Sequence, residues 1–226
     1  MRRRRPSLDD RPISTRRLEA FTDGVFAIAA TLLVLDLSVD TLTGVTDDAQ
    51  LADALSDMLP TFASFVISFL VLGMFWGIHV RQFEYIRKVD RTLITLNTFR
   101  LLFVVLIPFT TSVNADFQSE LLGRLLLPVN VLVVSAIGAF QWFYATRDRD
   151  LVPSVDEAEL RENRTGAFAA IFIAVLVVIA SIWIGSFAFF LFFLNPVADA
   201  FVARRAERRA PPADHLPAEG TPRPEA

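Results

Sequence analysis

The stretch 167–201 is apolar over about 35 residues, and several other runs approach about 20, the length an α-helix needs to cross roughly 30 Å of hydrocarbon. Such segments leave the chain little choice, because a backbone in lipid must satisfy its own N–H and C=O groups. The composition agrees. Of 226 residues, 53% are hydrophobic without counting glycine, and the mean hydropathy is +0.45. A soluble domain reaches about 45–50% only with glycine included. The sequence therefore predicts an all-α integral membrane protein.

The absence of cysteine excludes disulfides and thiolate metal sites. A net charge of -3 gives no ground for a nucleic-acid partner. Arginine far outnumbers lysine, a coding habit of GC-rich bacterial genomes. Met1 to Arg5 reads MRRRR, but the polar residues that follow and the long first apolar run argue against a cleaved signal peptide.

Taken in order, the chain reads as a basic, disordered arm over 1–16, a membrane domain over 17–204 and a disordered, Pro- and Ala-rich tail over 205–226. The arm reads as a solvated topogenic tail, with contact to anionic lipid headgroups as the alternative. Helix one is expected over 18–39, followed by an acidic loop at 40–59. Helix two is expected over 60–85 and helix three over 92–113, with Asn97 and Arg100 in its first turns and Pro108 near its far end. Helix four covers 121–145 and carries Pro128 and Asn130, and a charged loop fills 146–164. The run at 167–201 is too long for one ordinary span and just long enough for two short ones joined near 181–186. Six helices result, the last carrying Asn195-Pro196 as a kink. Arg and Lys cluster in the N-terminal arm, in the loops after helices two and four, and after helix six, while the other loops hold only Arg124. By the positive-inside rule both termini face the cytoplasm.

Within residues 17–37, RLEAFTDGVFAIAATLLVLDL, only Asp23 and Asp36 bring charge into the apolar run, and a carboxylate at that depth by default marks a functional position. At about 100° per residue, Gly24, Ile28, Thr31, Leu32 and Leu35 share one face roughly 100° wide, and Asp23 lies about 140° from Ile28. The acid is thereby turned toward helices two and three, where Trp76, His79, Asn97 and Arg100 offer donors. An apolar face at helical spacing ordinarily packs against another helix, and a lone His79 is ordinarily a satisfied buried or interfacial side chain. His215, in the tail, is the only other histidine, so no metal site is expected. No nucleophile–base pair, phosphate loop or HExxH pattern is present, which excludes the common enzyme classes, and no TVGYG filter is found.

Arg17-x-x-x-Phe21-Thr22-Asp23 resembles the R-x-x-x-F-S-D signature in the first helix of the transmembrane protein 175 family of potassium channels. The similarity continues in Trp76-x-x-His79, Asn97 and Pro108-Phe109, and covers about 17–204. The resemblance implies six helices per subunit, a homotetramer and a central pore lined by helix one. It implies a constriction of bulky apolar side chains, matched here by Ile28, Leu32 and Leu35, with Thr31 as the hydroxyl associated with potassium preference. Arg17, Phe21, Thr22, Asp23, Trp76, His79 and Asn97 match the family's polar network inside each subunit. Animal relatives carry the signature twice and sit in lysosomes, whereas this chain carries it once.

The expectation that follows is a potassium channel of a bacterial plasma membrane, closing by dewetting at the apolar ring. Potassium ions, lipid and further copies of the chain are its partners, no cofactor is needed, and proton permeation is left open. Asp36 and Asp40 at the outer mouth would concentrate cations there, or are simply solvated. The rivals are a proton- or cation-coupled transporter using Asp23 and His79 as a relay, and a non-conducting membrane scaffold. No inverted repeat or paired broken helices favour the transporter.

Overall fold

The computed structural model describes residues 14–38, 42–147, 151–152 and 157–192, with the side chains of 157–163 excepted. All of them fall in the first of two compact units, Met1–Phe192, and the second, Phe193–Ala226, lies outside the described residues. The basic arm up to residue 13, Asp40, most of the expected helix six and the tail also lie outside them.

Among the described residues there are seven α-helices and no strand: α1 Thr15–Leu32, α2 Asp48–Asp57, α3 Leu59–Tyr85, α4 Arg91–Val105, α5 Ile107–Asp116, α6 Leu121–Arg147 and α7 Glu157–Ile184. Five stretches are long and apolar enough to cross a membrane: Thr15–Asp36, Leu59–Tyr85, Arg91–Asp116, Leu121–Arg147 and Arg164–Phe192.

Local chemistry sets several boundaries. Asp90 caps α4, its carboxylate accepting from Leu93 N at 2.7 Å while Tyr144 donates its hydroxyl to the other oxygen. Asp47 caps α2 in the same way through Gln50 N at 2.8 Å, and Gln50 Oε1 accepts from Thr46 N at 3.0 Å. This short helix stands where the sequence suggested only an acidic loop. The third span is broken at Leu106, between α4 and α5, because Pro108 cannot donate and its ring disfavours a continuous helix. Asn130 of α6 satisfies a carbonyl freed there, donating to Phe103 O at 3.0 Å. Helix one is also shorter than expected: it tightens into a 3-10 turn at Leu33–Asp36 instead of running to 39 as α-helix.

The last described helix differs most from expectation. It begins at Glu157, inside the region read as a loop, and runs to Ile184. The break near 181–186 is present, at Gly185, whose φ of 55° suits a residue without a Cβ. A 3-10 segment Gly185–Phe189 follows and buries Ala188 and Phe189.

Contacts between loops sort the helix ends. Thr15 donates to Arg87 O at 3.4 Å, Arg87 N to Leu151 O at 2.9 Å, and Arg164 to Thr146 Oγ1 at 3.3 Å. The start of α1, the α3–α4 connection and the α6–α7 connection thus share one end. At the other, Ser112 donates to Asp36, Asn114 to Gly123 O at 3.0 Å, and Arg124 to Ile182 O at 2.7 Å. The five spans therefore alternate in direction. Their shared core includes Phe26, Leu33, Val71, Val104, Val131 and Val177, all buried.

Candidate functional site

Helix α1 has two unlike faces. Leu18, Thr22, Phe26 and Ala29 are buried, and Leu33 follows at 0% exposure. Their spacing of three and four is that of one helix face turned to a core. The opposite face is left open: Ile28 is 60%, Leu32 39% and Leu35 69% exposed, with Gly24 and Thr31 exposed beside them. These are the five residues that helical geometry placed together. Leu35 sits in the 3-10 turn yet stays on the open side. Thr31 Oγ1 donates to Ile28 O at 2.8 Å, so its proton is committed to the helix and its oxygen faces outward as an acceptor.

Polar links hold α1 from behind. Thr22 is wholly buried, and Asn97 of α4 donates to its hydroxyl at 2.8 Å. Gln141 of α6 donates to Asn97 Oδ1 at 3.3 Å. Three helices are therefore stitched by one hydroxyl and two amides. Asp23 accepts from Trp76 Nε1 of α3 at 2.9 Å. Asp36 is part-buried and accepts from Ser112 of α5, so it is neither a free acid at a mouth nor an ordinarily solvated one.

The expectation that four donors converge on Asp23 needs correction. Trp76 alone reaches it among the described residues, and both partners are exposed on the single subunit. Asn97 serves Thr22 instead. Arg100, 1% exposed, donates to Gln82 at 3.5 Å, and its Nε has no partner among the described residues. Its guanidinium lies against Gly138, where an added Cβ would stand 3.0 Å from Arg100 Cζ. Arg17 and Phe21 are exposed, apart from the buried links.

His79 is 1% exposed, and neither ring nitrogen has a partner among the described residues. Its ring lies 4.2 Å from that of Phe83 and 6.2 Å from that of Phe26. A cavity of about 170 Å³ beside it is lined by Glu19, Asp23, His79, Val80, Phe83 and Glu84. A larger one, about 550 Å³, is lined in part by Ser14, Arg16 and Arg87, and shares Glu19, Phe83 and Glu84 with the first. Among the described residues no group of acids, histidines or cysteines could hold a metal ion. Gln82, Ser112, Gly138 and Gln141 complete this constellation and were not singled out from sequence. For the two glutamines a signal was present, since an amide inside a membrane helix needs a partner.

Comparison with known proteins fits this geometry. Residues 17–108 match the family described as endosomal/lysosomal potassium channel TMEM175. The chain is 39% identical over 153 residues to a potassium channel of Streptomyces collinus, covering 66% of this chain and 73% of that one. It is 30% identical over 152 residues to the endosomal/lysosomal proton channel TMEM175 of Danio rerio, of whose length it spans only 28%. Its fold is similar to the crystal structure of a lysosomal potassium-selective channel TMEM175 homologue from Chamaesiphon minutus. The TM-score is 0.66 with 25% identity, covering 84% of this chain and 97% of that one. The chain belongs to the TMEM175 family.

Proposed function

We propose that the chain is one subunit of a homotetrameric potassium channel in a bacterial plasma membrane, with six spans and both termini cytoplasmic. Four copies of α1 surround the pore. The observation that carries this reading is the open face of α1: its apolar residues are left uncovered by the subunit, while the opposite face is buried and held by hydrogen bonds. In a tetramer that face meets the axis. Ile28 forms the narrowest ring, Leu32 and Leu35 form further rings, and Thr31 presents an acceptor oxygen next to the Ile28 ring. A narrow apolar tube excludes a hydrated ion, so closure needs no TVGYG filter.

The test is purified protein in a planar bilayer between asymmetric potassium and sodium solutions. A reversal potential near the potassium equilibrium value supports a selective channel. Saturable flux that depends on a counter-ion would replace it with a coupled carrier, and no flux with a scaffold.

A further inference from the structure

The larger cavity, about 550 Å³, has no part in the proposed pore. Its size falls within the roughly 300–1,000 Å³ of small-molecule sites. Ser14, Arg16 and Glu19 line it from the start of α1, and Phe83, Glu84 and Arg87 from the end of α3. Thr15 ties the two walls together, donating to Arg87 O at 3.4 Å. At about 100° per residue, Glu19 lies about 180° and Arg16 about 120° from Ile28, so the cavity stands behind α1 and away from its open face. One candidate span begins at Thr15 and another ends at Tyr85. The cavity therefore lies at the depth of lipid headgroups.

Its charges come in two pairs of opposite sign, and each pair takes one member from each helix. Arg16 and Arg87 line this cavity alone, whereas Glu19 and Glu84 also line the smaller one beside His79. The bases thus mark the outer end and the acids the inner end. None of the four side chains is hydrogen-bonded or ion-paired to another described residue. A purely anionic ligand would meet two carboxylates, and a purely cationic one two guanidiniums, and like charges brought together cost affinity. A ligand carrying both signs meets a complement at each end. Guanidinium forks suit a phosphate, and the Ser14 hydroxyl, which makes no cap bond, adds a donor. Two carboxylates suit an ammonium group, which the Phe83 ring in the same wall also tolerates.

We propose that this cavity binds a phosphate–ammonium zwitterion, the chemistry shared by an ethanolamine phospholipid headgroup and free phosphoethanolamine. The phosphate lies on Arg16 and Arg87, and the ammonium between Glu19 and Glu84, toward the smaller cavity. Each end of the ligand bridges α1 to α3, so its binding adds two links to the one that Thr15 provides. The site does not rest on the channel reading.

The test uses the purified full chain in detergent with three probes: dioctanoyl phosphatidylethanolamine, dioctanoyl phosphatidylglycerol and O-phosphoethanolamine. Binding is read by native mass spectrometry and by the rise in Tm that a ligand of the folded state produces. The ethanolamine lipid should bind roughly tenfold more tightly than the glycerol lipid, which has the phosphate and lacks the amine. Arg16→Gln combined with Arg87→Gln should weaken both lipids roughly tenfold. Glu19→Gln combined with Glu84→Gln should weaken the ethanolamine lipid alone and abolish the preference. Equal or tighter binding of the glycerol lipid overturns the proposal, as does a preference that survives the paired glutamate substitutions. If that double variant does not fold, the two lipids compared on the unaltered chain decide. Protection by O-phosphoethanolamine as well as by the lipid supports a site open to the soluble compound, and protection by the lipid alone supports a site fed from the membrane. No binding of any probe refutes the site.

Discussion

The Thr31 hydroxyl donates to the Ile28 carbonyl at 2.8 Å, so the two residues that helix geometry places on one face are joined within the helix itself. The bond orients the threonine oxygen with its lone pairs outward, an arrangement suited to a partly dehydrated cation. Thr31→Val keeps the branched shape and removes the acceptor, and Thr31→Ser keeps the acceptor. In bilayers with mixed salts, Thr31→Val should lose potassium-over-sodium discrimination with little added leak, while Thr31→Ser should retain most of it. Equal reversal potentials for the two would show that the hydroxyl takes no part.

Ile28→Asn should wet the proposed constriction and raise zero-stimulus current. Leu33→Asn is the control, about 140° around the helix and wholly buried. It leaves an amide unpaired in the core, at a cost of about 1–3 kcal/mol, and should lower the yield of folded protein without opening a conduction path. If both variants leak alike, the open face of α1 is a packing surface.

Asn97→Ala removes the middle of the Gln141–Asn97–Thr22 chain. Interhelical hydrogen bonds in membranes are worth about 0.6–2 kcal/mol each, so the loss of two should total about 1–4 kcal/mol. A Tm lowered by several degrees in detergent, with conduction properties preserved in the assembled fraction, is the expected outcome. Unchanged stability would mean that the amides are replaced by other partners.

Gly123→Ala should be among the most damaging single-methyl changes. A Cβ there would sit 2.1 Å from Phe117 O, which is backbone and cannot rotate away. The turn between α5 and α6 must then shift, and with it the Asn114 bond to Gly123 O and the Ser186 bond to Asn114. Poor expression and loss of the folded protein by size-exclusion chromatography are expected, in contrast to Gly77→Ala, where open space awaits the methyl.

How far the sequence could be read depended on whether the deciding forces were local. The second span was expected over 60–85 and runs Leu59–Tyr85, because apolar length and flanking polarity define a membrane helix directly. The open face of α1 was legible because a rotation of about 100° per residue needs no tertiary information. The partners of Asp23 were not, since which donor reaches an acid depends on axial register between helices. Asn97 proved to sit level with Thr22, and Arg100 turned away into the space over Gly138. Helix α2 was missed because its acids read as solvated loop, while its cap, Asp47 with Gln50 three residues on, was a local signal that could have found it.

The links to α1 come from three helices: α4 through Asn97 at Thr22, α3 through Trp76 at Asp23 and α5 through Ser112 at Asp36. Among the described residues no hydrogen bond ties its open face to another helix, and the hydroxyl there bonds back to the same helix. That face is therefore a passenger. If that face lines the pore as proposed, a stimulus that repositions it must first displace the helices behind it, and the substitutions that alter responsiveness most selectively should map to α3, α4 and α5.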